Sequence, residues 1–144
     1  MKWILIASCL LFSSCLKKEI DKKFKMEGAE YIIKKVNYLS EIKEENSDWV
    51  HTPGYDKSFV EVQYQKINGG NHSFLPPYRE LPVLLDKNGK RHKQKFSRTI
   101  FDPKDMITDH VVLASDITYS MIFEGVWNKD KPYKLLIDGQ YIEL

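Results

Sequence analysis

The chain has 144 residues and only two cysteines, Cys9 and Cys15, both within its first fifteen positions. Nothing beyond residue 15 can form an intramolecular disulfide, act as a cysteine nucleophile or offer a thiolate to a metal. Core burial has to stabilise the fold alone. An excess of one charge is missing as well, since 22 Lys and Arg stand against 20 Asp and Glu. Phosphate binding needs clustered, uncompensated cations, so this balance argues against a nucleic-acid partner. The longest apolar run, residues 3–12, falls far short of the roughly 20 residues that span a bilayer as a helix. No long amphipathic helix pattern follows it.

Signals for chemistry are equally sparse. His51, His72, His92 and His110 are widely separated, with no pair spaced to share one helix or strand face, so a metal site would need the fold to converge them. No nucleophile elbow or Gly-rich oxyanion loop singles out a serine, which leaves a Ser-His-Asp hydrolase resting on residue types alone. The sequence calls for no cofactor and for a non-catalytic protein.

What is present begins with Lys2, the apolar run over 3–12, the small residues Ser13 and Ser14, and then Cys15, in the layout of a secretory signal. The end of this stretch, Phe12-Ser13-Ser14-Cys15, resembles the lipobox of bacterial lipoproteins. There the signal is cut before a cysteine that carries diacylglycerol on its thiol and an acyl chain such as palmitate on its new amino group. Ile6-Ala7-Ser8-Cys9 fits the residue pattern too, but cutting there leaves too short an apolar region. The resemblance implies a signal peptide over 1–14, lipidation of Cys15 and a lipid-anchored place in the cell envelope. With no acidic residue next to Cys15, the outer membrane is the expected destination. Residues 15–27 are dense in charge and read as a tether. Ile20, Phe24 and the lysines would alternatively make a short interfacial helix.

From residue 28 onward the pattern is β. Residues 31–39 mix β-branched and aromatic side chains and read as a first strand, and the polar stretch 41–48 reads as a loop before the Pro53-Gly54 turn. Over 58–65 the alternation is clear, with Val60, Val62 and Tyr64 on one face and Glu61, Gln63 and Gln65 on the other. Asn68-Gly69 ends that strand. Asp86-Lys87-Asn88-Gly89 marks a hairpin between 81–85, which starts at or after Pro82, and 90–96. Asp102-Pro103 reads as a short helix start. Further strands are expected over 110–113, 119–127, 133–137 and, after Asp138-Gly139, 141–144. Short strands at near-regular spacing predict an all-β domain over 28–144, an antiparallel β-sandwich or alternatively a small β-barrel.

Pro53-Gly54 with Phe59 to Tyr64 and Asn68, then Leu85-Asp86 with Gly89, then Ile122-Phe123-Glu124 form a pattern that resembles immunoglobulin-like, telokin-like extracellular domains of bacterial lipoproteins, a family largely of unknown function. The resemblance implies an immunoglobulin-like sandwich and brings no catalytic residues.

The remaining candidates concern binding. Arg91, Lys93 and Lys95 alternate along one strand and would project as a basic stripe toward an anionic lipid or glycan, or would serve as a charged edge that blocks aggregation. Trp49 and Trp127 lie near strand ends, where aromatics cap a core or make a binding platform. Asp102, Asp105 and Asp109 would share a face of a helix as a weak calcium candidate. The functional expectation is an envelope-anchored interaction module whose partners are the membrane, through its lipid, and another envelope or extracellular component. A barrel carrying an apolar ligand is the alternative.

Overall fold

The computed structural model describes residues 20–44, 47–69, 81–100 and 117–144. The strands in chain order are β1 (Lys22–Met26), β2 (Ala29–Leu39), β3 (Ile42–Lys43), β4 (Val50–His51), β5 (Lys57–Gly69), β6 (Val83–Leu85), β7 (Arg91–Ile100), β8 (Thr118–Trp127), β9 (Lys134–Ile137) and β10 (Gln140–Glu143). A single 3-10 turn, Asn128–Asp130, is the helical structure among the described residues. The all-β architecture read from the sequence is the one the chain adopts.

Eight strands form one antiparallel sheet in the order β1-β2-β5-β8-β7-β6-β9-β10. Its curvature has identifiable causes. Register shifts interrupt β2–β5 at two places, β5–β8 near Ser58 and β7–β8 near Gln94, and each bulge adds local twist. Strand β7 pairs with β6 through Arg91, His92 and Lys93 and with β8 from Gln94 onward, so it turns the corner between two walls. The ends of the sheet then meet. The Gln140 side-chain amide accepts from the Lys25 N–H (3.1 Å) and donates to the Lys25 carbonyl (2.7 Å), reproducing a peptide pair across the seam. The Lys22 ammonium adds a bond to the Glu143 carbonyl. The result is a nearly closed barrel whose first and last strands do not present bare edges.

Buried side chains fill the middle of the barrel: Phe24, Ile33, Val60, Val62, Leu84, Met121, Phe123 and Leu135 among them, with Tyr64 packed against this cluster. Val60, Val62 and Tyr64 thus face inward, as the alternation predicts. Phe24, Tyr31 and Tyr64 form a triangle of rings with centroids 5.4–5.6 Å apart, and Tyr119 stacks on Tyr64.

Two expectations change. The tether does not reach residue 27, because Lys22–Met26 is a strand paired with β2 and buries Phe24. The polar loop over 41–48 contains β3, which pairs with β4 through Ile42↔His51 and Lys43↔Val50. This small hairpin lies as a flap on the outer face of the barrel wall. Beneath it Ile42, Phe59 and Ile122 form a second apolar cluster with Leu39 and Phe96 packed on its rim. The hairpin at Asp86 is present, closed by the Gly89 N–H donating to the Asp86 carbonyl (2.9 Å), with Gly89 at positive φ. At Asp138-Gly139 both residues take positive φ, as a two-residue hairpin turn demands. The expected helix start at Asp102 and the strand over 110–113, like the signal peptide, lie outside the described residues.

Candidate interaction surface

Strand β7 and the flap together build the most distinctive surface of the domain. Arg91, Lys93 and Lys95 are all exposed, and they form the stripe that the alternation predicts. Arg91 and Lys93 face away from the core because their neighbour His92 faces into it, opposite the buried Leu84. Lys95 falls at the register shift, and its ammonium lies 6.0 Å from the centroid of Phe59 and 5.7 Å from that of Phe96. The flap runs from the end of β2 across β5 and β8 to β7, where the His51 ring lies 5.1 Å from Phe96. Its far end is held by the Glu44 N–H donating to the Trp49 carbonyl and the Trp49 N–H donating to the Ser47 hydroxyl. There Trp49 is 72 % exposed and Val50 45 %. Large apolar groups held in water on a flap that reaches a strand of exposed cations are the composition of a binding surface.

Trp127 belongs to another part of the molecule. It lies at the end of the barrel, with the ammonium groups of Lys57 and Lys129 at 4.8 and 5.3 Å from its ring centroid. The two tryptophans therefore do not form one platform.

Two buried acidic groups went unread as such in the sequence. Glu61, on the polar face of the alternation, is 1 % exposed. Its Oε1 accepts from Ser120 Oγ (2.7 Å) and from Arg98 Nη2 (2.6 Å) and Nε (3.0 Å), and its Oε2 accepts from Asn37 Nδ2 (2.7 Å) and Gln63 Nε2 (3.1 Å). Asn37 stands opposite Glu61 across the β2–β5 ladder, and Ser120 stands opposite both Gln63 and Arg98, so one carboxylate ties four strands together. Burial by itself would push the Glu61 carboxyl up. The hydrogen bonds from Asn37, Ser120 and Arg98, with the Arg98 charge, outweigh it and hold the group below the usual carboxylate range.

The second group is Asp86. Its Oδ1 accepts from the Asn88 and Lys90 N–H groups (2.8 and 3.0 Å), and its Oδ2 lies 3.2 Å from His92 Nε2. Burial would raise this carboxyl too, and the bonds from His92, Lys90 and Asn88 reverse that and lower it. Both side chains of the pair are nearly sealed from solvent, and no serine hydroxyl among the described residues bonds to His92. The pair is thus a turn cap without access to a substrate. Replacing the acid, Asp86→Ala, removes acceptors from two amides and strands His92, and should cost about 2 kcal/mol of stability. Asp86→Asn, which keeps the turn acceptor, should cost less. Denaturant midpoints at unchanged slope measure both.

His51 meets Glu44 on the flap (2.5 Å), far in kind and place from the His92 pair. No group of three His, Cys, Asp or Glu residues converges as a metal site among the described residues. His72, His110, the aspartates Asp102, Asp105 and Asp109, and Cys15 lie outside those residues. No helix among the described residues is long and apolar enough to cross a membrane. No protein-family model, curated protein or solved structure matches this chain.

Proposed function

We propose that this chain is a bacterial envelope lipoprotein, anchored through Cys15, whose barrel is a non-catalytic interaction module in the manner of the immunoglobulin-like lipoprotein domains its hairpins resemble. The partner is another envelope component that offers an anionic and partly apolar surface. The observation that carries this reading is that the flap bearing the exposed Trp49 and Val50 packs through His51 against Phe96 of β7, the strand on which Arg91, Lys93 and Lys95 are exposed. Tryptophan and arginine dominate the binding energy of protein surfaces, and a basic stripe supplies steering toward an acidic partner.

The anchor and the surface are tested separately. Cys15→Ala should leave the protein folded and move it from a carbonate-washed membrane pellet to the soluble fraction. A variant that stays with the membrane overturns the lipid anchor. For the surface, a photoreactive residue placed at position 49 of the full-length protein in cells should give a discrete cross-linked adduct. The triple change R91Q/K93Q/K95Q should weaken that adduct at least severalfold. The same labelling from position 141, where exposed Tyr141 lies on β10 away from β7, would show that Trp49 marks no special surface.

A further inference from the structure

The tether is shorter than its charge pattern suggests, and that shortening orients the domain. Because β1 captures the chain from Lys22 and Ile20 already packs against the barrel core, only the residues between Cys15 and Ile20 remain to span the gap to the lipid. At about 3.3–3.6 Å per residue they reach at most ~18 Å. A strand as long as the 11-residue β2 extends roughly 35 Å. The end of the barrel that the chain enters is therefore held within ~18 Å of the lipid, and it is the part of the surface brought to it.

The contacts of the entering chain identify that part. The Ile20 carbonyl accepts from the Lys22 N–H, and the Lys22 ammonium bonds the Glu143 carbonyl, next to Leu144. The Leu144 N–H donates to the Tyr133 carbonyl (3.0 Å). The Tyr133 hydroxyl, buried and pushed up to about 12, donates to the Trp127 carbonyl (2.6 Å), and its ring lies 6.3 Å from Tyr38. Lys131 sits 3.6 Å from the Tyr38 ring centroid, and Lys57 and Lys129 cover Trp127. Beside them the chain turns at Tyr55, which is 94 % exposed, and the Asn128 N–H donates to the Asp56 carbonyl. The chain thus enters next to the end of the barrel that gathers these aromatics and lysines.

We infer that this end, carrying Tyr38, Tyr55, Trp127, Lys57, Lys129 and Lys131, rests on the anionic phospholipid surface that holds the Cys15 lipid. Among the described residues the acidic side chains there are Glu41, Asp56, Asp130 and the buried Asp86, against the five lysines Lys57, Lys87, Lys90, Lys129 and Lys131. Indole and phenol rings settle at headgroup depth, and each lysine near an anionic surface adds attraction within a Debye length. Strand β7 stands opposite β1 in the ring of strands and starts at Arg91, next to Lys90, so its basic stripe runs from this end along the barrel wall toward Lys95.

The inference rests on the anchor reading, and one experiment separates the two. Of the three tryptophans, Trp3 lies in the leader, so Trp49→Phe leaves Trp127 as the single emitter of the mature protein. The full-length lipidated protein is placed in vesicles of anionic phospholipid containing brominated chains. Trp127 emission should fall by about half, as expected at headgroup depth, whereas Trp127→Phe protein, emitting from Trp49, should be nearly unaffected. K57Q/K129Q/K131Q should reduce the Trp127 quenching, as should vesicles of zwitterionic lipid. Protein that floats with the vesicles but shows unquenched Trp127, or stronger quenching of Trp49, overturns the orientation and leaves the anchor standing. Protein that takes up no fatty-acid label and does not float overturns both.

Discussion

Glu61→Ala should lower the unfolding free energy by about 3 kcal/mol, the largest loss expected from any polar substitution in the domain. Removing the carboxylate leaves Ser120 and Asn37 without their acceptor and leaves Arg98 facing a site shaped for a negative charge. The Arg98 side chain is 42 % exposed and can rehydrate, which keeps the loss below the upper range for a sealed ion pair. Glu61→Gln should restore only part of it, because the amide loses the charge that Arg98 faces and turns one donor toward groups that all donate to the carboxylate. Ser120→Ala, which deletes one of five bonds, should cost about 1 kcal/mol.

The same network fixes the sign of the pH dependence. Both Glu61 and Asp86 are held below their ordinary values in the folded protein, so unfolding in acid is coupled to proton uptake. Their stabilisation is fully present above the carboxyl values of the unfolded chain, about 4, and is lost as pH falls through the lower folded values. Denaturant midpoints should therefore hold steady from pH 7 to 5 on account of these two groups and drop below pH 4. In Glu61→Ala the acid drop should be shallower, since one of the two linked protons is gone. An acid limb of unchanged steepness in that variant would assign the linkage elsewhere.

How far the sequence predicts these features depends on what each strand packs against. Residues 60–65 alternate in sequence because one side faces a filled barrel, whereas Met121-Ile122-Phe123 do not because Ile42 of the flap covers Ile122 on the other side; Gly89 and Gly139 mark turns because positive φ leaves few other choices. Lys22–Met26 hides its strand character under lysines, although Phe24 and Met26 sit two residues apart and point inward together. Glu61 was misplaced for the opposite reason. Alternation assigns it correctly to the outer face, but nothing local says that Asn37, Gln63, Arg98 and Ser120 will cover it. That information lies in the register of four strands distant in sequence. The basic stripe follows from alternation alone, whereas the approach of His51 to Phe96 on that strand arises only because the flap folds across the wall.

Gly125→Ala should detach that flap. Gly125 lies on β8, and a Cβ added there would fall 2.6 Å from the Pro53 carbonyl oxygen and 2.7 Å from the Pro53 Cβ, the segment that carries the flap back to β5. Neither contact is with a flexible chain end, so the backbone itself must move, at a cost of about 1–3 kcal/mol. The flap has little to oppose this. Two strands of two residues are not stable alone, and their hold on the barrel is mainly the burial of Ile42 over Phe59 and Ile122, worth roughly 2 kcal/mol. The two terms are comparable, so the substitution should populate an undocked flap rather than unfold the barrel. Amide exchange should quicken across residues 42–51 while the amides of β2, β5 and β8 stay protected. Cross-linking from position 49 should fall with it, since the flap that carries Trp49 would no longer be held against β7 through His51 and Phe96. Exchange that accelerates equally in the flap and the barrel would mean that the flap is part of the cooperative core. A cross-link that survives undocking would mean that Trp49 binds without the basic stripe.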